Sequence, residues 1–298
     1  MLEVMNRLAG MNCHYIRHSF DYFLDKMSGM GIRNIELWGA SPHFYVPDCG
    51  AGDAAQIRKK IKERELNLIC FTPEQVTYPV NIAARESILR RRSADYYLKA
   101  VRLCGELGTG QMLLTPGWGY LDEPKAEAWK RSAEAIGEIA RQAEREEVTI
   151  LLEHLTPASS NLINCAEDLN RMCREVASPA LKTMADTVQV QVAGEEIEQY
   201  FDVLGETLRH IHIADGIPGG HLALGDGTIP LRQMLGGIVR KGYSGFFTME
   251  IADRRYFAEP EEADRRSLQW MLRYTGEEEA GWKEPLIRRT DWQSAGNC

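Results

Sequence analysis

Along the chain, short apolar runs alternate with longer stretches in which apolar positions recur every three to four residues. The first run, Leu8–Cys13, predicts a strand ending near His14, and Phe20–Met30, stopping at Gly31, predicts a helix. The pair repeats as strand Asn34–Trp38 (NIELW) with helix Ala54–Glu63. It repeats again as strand Leu66–Phe71 (LNLICF), closed by Thr72 and Pro73, with a helix over Arg85–Leu107. Strand Gln111–Thr115 runs straight into a Pro-Gly break, beyond which Trp129, Ala133, Ile136, Ala140 and Ala143 mark one face of a helix. Four further pairs follow: Val148–Leu152 with Ala166–Val176, Leu181–Ala185 with Glu195–Leu204, Leu208–Ile213 with Leu231–Lys241, and Phe246–Glu250 with Glu261–Tyr274.

Strands separated by helices pair in parallel, and eight strand–helix units in succession are enough to close a barrel. The pattern predicts an α/β chain folded as a single-domain (β/α)8 TIM barrel over residues 1–276. An irregular tail, 277–298, carries Trp282, Pro285 and Trp292 and would pack beneath the barrel or against a partner. A doubly wound open sheet is the rival, but no GxGxxG or P-loop follows the first strand.

Four strands break their apolar pattern at the end where barrels keep their chemistry. VTILLEHLTP turns polar at Glu153, LKTMAD at Asp186, LRHIHIAD at His212 and GFFTME at Glu250. Side chains alternate across a strand, so Glu153 shares a face with Leu151, Asp186 with Met184, His212 with His210, and Glu250 with Thr248. His154 points the other way. With helices outside, the polar set should meet at the C-terminal mouth. Three carboxylates gathered in a low-dielectric site repel one another unless a cation joins them. One nitrogen with three oxygens and no thiolate suits Mn²⁺, Mg²⁺ or Co²⁺ better than structural zinc. His210 reads as a core histidine or one supporting the site, and Asp215 as a residue that orients His212 or caps a turn.

Composition narrows the setting. The 298 residues are 44% hydrophobic and 26% charged, ordinary for a globular protein, and the net charge of −8 argues against a nucleic-acid surface. Seven scattered cysteines without a CxxC pair suit reduced thiols. The N-terminus lacks the apolar core of a signal peptide, and no run approaches the roughly 20 apolar residues of a membrane span. A cytoplasmic protein with neither a nucleic-acid nor a membrane partner is expected.

With these residues assembled, the sequence resembles the xylose-isomerase-like barrels, the sugar isomerase/epimerase superfamily. LLEHLTP, MADT, HIHIAD, HLALGDGTIPL and TMEI carry the likeness, which runs from about residue 8 to 274. IELWGASPHFYVPD, CFTPEQVTYPVN and EHLTPASSN are similar to segments of the fructoselysine and ketose 3-epimerase branch. The resemblance implies that Glu153, Asp186, His212 and Glu250 bind a divalent metal, Mn²⁺ first, that chelates an unphosphorylated ketose or ketosamine. Glu153 and Glu250 would then remove and return a proton on opposite faces of the sugar, by way of an enediolate. Members often associate through their barrel helices, which implies a homo-oligomer.

The chain departs from that pattern at three positions. Ser159 stands where relatives carry a substrate-contacting glutamate, Gln189 where ketohexose 3-epimerases carry a histidine, and His154 where a proline is common. A second reading follows, the catalytic subunit of a C-glycoside deglycosidase acting on 3-oxo-glycosides with a small partner subunit. There His154 would serve as an extra acid or base. A repair endonuclease of the same superfamily would need a basic groove and more metal ligands, and a non-catalytic barrel would bind no metal. Trp38, His43 and Trp118 follow strands two and four and could stack on a sugar, or simply pack their loops. Glu74 could bind sugar hydroxyls or cap a helix, and His221, in the loop before GDG, could contact substrate. The run Arg90–Arg92 reads as a solvated helix face or an anion contact.

Overall fold

The computed structural model describes residues 2–76, 79–217 and 220–276. Eight parallel strands pair in sequence order, and the first pairs with the last to close a barrel. They are β1 (Leu8–Met11), β2 (Asn34–Gly39), β3 (Asn67–Pro73), β4 (Gln111–Leu114), β5 (Thr149–Leu152), β6 (Leu181–Asp186), β7 (Leu208–Ile213) and β8 (Phe247–Met249). Around them run α1 (Leu2–Met5), α2 (Phe20–Gly29), α3 (Ala51–Glu63), α4 (Ser87–Leu107), α5 (Lys125–Arg145) and α6 (Ala166–Val176). The ring is completed by α7 (Thr187–Ala193), α8 (Ile197–Leu204), α9 (Leu231–Arg240) and α10 (Pro260–Thr275). This is the single-domain (β/α)8 TIM barrel that the alternation predicts. The expected tail, 277–298, lies outside the described residues, with Trp282, Pro285 and Trp292.

Strand parity sorts the core. Ile150 and Leu152 of β5 belong to the large apolar cluster shared with the helices, whereas Leu151 between them joins Ala9, Cys70, Leu113 and Met184 in a separate small cluster. The same split divides Ala185 from Met184 on β6. Each fully buried Leu, Ile or Phe of the shell contributes about 1.5–3 kcal/mol, so the ring of helices is held mainly by this layer. The inward face ends in polar side chains at the C-terminal mouth, which is where the site forms.

Two elements depart from expectation. Strand β1 stops at Met11 because Cys13–Tyr15 turns into a short 3-10 helix. Helix α7 was not expected, since TVQVQVA alternates like a strand. It forms because Asp186 caps it, accepting the Gln189 N–H at 2.9 Å, and Gly194 closes it at φ +69°. Among the described residues no helix is long and apolar enough to cross a membrane, and the six described cysteines are free thiols.

Candidate active site

Glu153, one residue past β5, Asp186 at the end of β6, His212 on β7 and Glu250, one residue past β8, converge at the mouth. Each offers one ligand atom, and the four atoms lie within 4.8 Å of one another. Glu153, Asp186 and His212 are buried. Burial pushes the Glu153 carboxyl well above the usual range, and the charges of Glu250 and Asp186 add to the shift. Burial also works against the charge of Asp186, but the nearby His221 and His212 outweigh it and hold that carboxyl below its ordinary value.

Both oxygens of Asp186 are informative. Oδ1 accepts the Gln189 N–H, while Oδ2 is buried with no hydrogen-bond donor aimed at it among the described residues. His221 brings Nε2 to 3.5 Å from that oxygen and to 3.4 Å from Glu250 Oε2, without the alignment of a hydrogen bond. Burial opposes the charge of His221, but these acids raise its pKa to about 9. An orphaned carboxylate oxygen inside a set of three carboxylates and one imidazole fits a divalent cation with oxygen and nitrogen ligands. Gln189, expected to meet substrate, donates from Nε2 to Glu153 Oε1 at 2.8 Å. It therefore fixes one oxygen of that carboxylate and leaves the other free to act.

His212 is held from both sides. Its Nδ1 lies 3.0 Å from Glu250 Oε2, and its Nε2 lies 3.1 and 3.2 Å from the two oxygens of Glu36. Glu36, on β2, also meets His210 Nε2 at 2.8 Å and accepts a hydrogen bond from Thr72 Oγ1. Strands β2 and β7 are not neighbours, so these contacts run through the barrel interior. Burial penalises the Glu36 charge, yet His212 and His210 hold its carboxyl well below the usual range. Burial likewise penalises a charged His212, yet Glu36 and Glu250 raise it well above the ordinary histidine value. Sequence reading passed over Glu36, although a lone carboxylate inside NIELW is the same signal that marked the other strands.

A cavity of about 630 Å³ opens over this set, and Trp38, Glu74, Glu153 and Glu250 line it. Two arginines absent from the sequence expectations, Arg17 after β1 and Arg254 after β8, also line it. Nothing in the hydrophobic pattern marks them, because Arg17 sits in a loop and Arg254 in a short 3-10 helix, Arg254–Tyr256, and the course of both depends on barrel closure. Trp118 and Ser159 line a neighbouring groove of about 590 Å³, whose wall shares Val76 with the cavity.

Other expectations resolve into supporting roles. His43 is tied behind the rim, with Nδ1 2.9 Å from Asn12 Nδ2 and Nε2 2.8 Å from the His18 carbonyl oxygen. His154 turns out among the helices, its ring 4.9 Å from that of Tyr200 on α8, so it does not reach the cavity. Neither of its nitrogens finds a partner among the described residues, and burial pushes its pKa down to about 4. Asp215 caps the loop that carries His221, accepting N–H groups from Gly216, Gly225 and Ile229 at 2.8 to 3.0 Å. In the run Arg90–Arg92, Arg90 and Arg92 bind backbone carbonyls and Arg91 pairs with Asp95 and Glu138, as a solvated helix face does.

Comparison with known proteins gives a consistent picture. Residues 24–274 match the sequence profile of the xylose isomerase-like TIM barrel family. Fructoselysine 3-epimerase of Shigella flexneri is 34% identical over 260 residues, covering 86% of this chain and 94% of the relative. The crystal structure of D-psicose 3-epimerase with D-tagatose from Clostridium cellulolyticum superposes with a TM-score of 0.74 at 18% identity, over 91% of this chain and 98% of that one. A crystal structure of IOLI protein with a bound zinc atom superposes with a TM-score of 0.75 at 17% identity, over 91% and 98% of the two chains. At those two identities the likeness is one of fold.

Proposed function

Because the chain belongs to the xylose isomerase-like TIM barrel family, we propose that it is a divalent-metal-dependent sugar epimerase, with Mn²⁺ the preferred ion. It would move a proton off and back onto a carbon beside the carbonyl of a ketose or ketosamine. The observation that carries this reading is the meeting of Glu153 and Glu250 within the set whose ligand atoms lie inside 4.8 Å. They come from β5 and β8, three strands apart in a ring of eight, and would approach a sugar in the cavity from different sides. Epimerisation needs two bases so placed, since a single base tends to return the proton to the face it came from.

The cation that Glu153, Asp186, His212 and Glu250 would hold supplies a fixed positive charge for the oxygens that become anionic as the proton leaves. The chain's own groups keep the bases in place. The Gln189 side chain holds one oxygen of Glu153 and its backbone N–H holds Asp186 Oδ1, while Glu36 holds the far nitrogen of His212. The deglycosidase reading, raised by Ser159, Gln189 and His154, needs His154 as its extra acid or base, and His154 lies outside the cavity against Tyr200.

NMR in D₂O of the Mn²⁺-loaded protein with free ketoses, fructoselysine and 3-oxo-glucosides tests the proposal. Deuterium entering next to a ketose carbonyl, with a new epimer, supports it. Exchange confined to the 3-oxo-glucosides, or none with any substrate, overturns it.

A further inference from the structure

The rim of the active-site cavity carries two cations whose counter-charge is missing from the described residues. Several arginines elsewhere on the surface take carboxylate partners: Arg64 pairs with Asp21 and Asp25, Arg85 with Glu123, Arg240 with Glu198, Arg266 with Asp226. Arg255, the residue next to Arg254, is one of these, pairing with Asp253. Among the described residues, neither Arg17 nor Arg254 has a carboxylate or carbonyl partner for its guanidinium, and both line the cavity above Glu153 and Glu250. Arg17 lies over the ring of Phe257, 5.9 Å from its centroid, so one face is covered while the in-plane N–H groups stay available. Strands β1 and β8 are paired neighbours, which places the two loops in one sector of the rim.

The cavity is also larger than a sugar needs. At about 30 Å³ per water-sized group, the dozen heavy atoms of a free hexose fill little more than half of the 630 Å³. The geometry points to an anion-reading rim: Arg17 and Arg254 receive a carboxylate or phosphate carried by the substrate at the end remote from the reacting carbons. A planar guanidinium suits either anion, because its parallel N–H groups match two oxygens at once. The other charged side chains lining the cavity, Glu74, Glu153 and Glu250, are acidic and would repel an anionic tail, which leaves the sector of Arg17 and Arg254 to receive it. The inference rests on the epimerase reading and deepens it, naming the substrate class as a ketose or ketosamine with an anionic substituent.

The test compares epimerisation of three substrates by the Mn²⁺-loaded full chain: a free ketose, fructoselysine with its carboxylate, and a ketose phosphate. The readout is the preference ratio, kcat/KM for each charged substrate over kcat/KM for the free ketose. Arg17→Gln and Arg254→Gln should each lower that ratio about fivefold through KM, the upper end for an exposed ion pair, and the double variant should lower it further. Added salt should lower the ratio in the wild type and have little effect in the double variant. Arg255→Gln, with its own partner, serves as the control and should leave the ratio unchanged. Whichever charged substrate holds the higher ratio identifies the anion. A ratio near one in the wild type, or one the rim variants do not move, overturns the rim while leaving the epimerase intact. Absence of exchange with all three substrates is a failure of the epimerase reading itself.

Discussion

Glu36 on β2 and His212 on β7 touch across the inside of the barrel, with Glu36 Oε1 3.1 Å from His212 Nε2. A carboxylate facing one imidazole nitrogen fixes the tautomer and directs the other nitrogen, here Nδ1, toward Glu250 and the carboxylate set. Partners of this kind typically change metal affinity by 10–100-fold when removed. Glu36→Gln should therefore weaken Mn²⁺ binding by about that factor, read from the EPR signal of free Mn²⁺ during titration. The amide preserves side-chain volume, so the far-UV spectrum should be unchanged. Wild-type affinity in the variant would remove Glu36 from the site.

Glu153→Gln and Glu250→Gln test the two-base assignment. Each should lower epimer formation at saturating metal by at least about 100-fold, the smaller end of what a positioned acid or base contributes. Deuterium exchange is the informative companion readout, because a variant lacking one base can still release a proton on one face while failing to invert. Full epimerisation in both variants would end the assignment.

The barrel was legible because eight units of one period leave few alternatives, and the metal set because four strands share one defect at one end. Contacts that depend on closure were not. Glu36 carries the same signal as Glu250, but its partners are His210 and His212, more than 170 residues away, and nothing local says that β2 faces β7 across the interior. Helix α7 was hidden by valine alternation, which a capping aspartate overrode. His43 and Trp118 followed the right strands, yet where a loop side chain turns is decided by its hydrogen bonds. For His43 those are Asn12 and the His18 carbonyl.

The loop that carries His221 hangs on Asp215. Its carboxylate accepts three backbone N–H groups, and its main chain pairs with Leu222 in both directions. The glycines nearby answer to it: Gly225 adopts φ +90°, and a Cβ on Gly227 would come within 2.4 Å of Asp215 Oδ1 and 2.6 Å of the Gly216 backbone. Asp215→Ala leaves three donors unpaired, of which that of Gly216 is buried while those of Gly225 and Ile229 are partly open to water. At about 1–3 kcal/mol for a buried donor left without a partner, urea denaturation should show a loss of about that size. Asp215→Asn, keeping one acceptor oxygen, should lose less. Equal stability of Asp215→Ala and wild type would contradict the role of this cap.

His43 gives the fold a defined acid sensitivity. The Trp38 N–H donates to Asn12 Oδ1 at 2.7 Å, so the Asn12 amide nitrogen must face His43 Nδ1, which therefore accepts and carries no proton. The proton sits on Nε2 and is given to the His18 carbonyl. A second proton would set donor against donor. Burial, the larger cause, and the charge of His18 hold the His43 pKa below its ordinary value, although the bond to the His18 carbonyl works the other way. A histidine with a depressed folded pKa binds fewer protons folded than unfolded, so stability rises with pH across that window. Its contribution is complete above about pH 6.5, the unfolded value, and is lost progressively as pH falls toward the folded pKa. Urea midpoints measured between pH 7.5 and pH 5, as an experimental window of roughly one unit or more on either side of that value, should fall more steeply for wild type than for His43→Gln. The glutamine can still donate to the His18 carbonyl but does not titrate. Parallel pH profiles for the two proteins would show that His43 accepts its second proton without cost, and the tautomer assigned from Asn12 would be wrong.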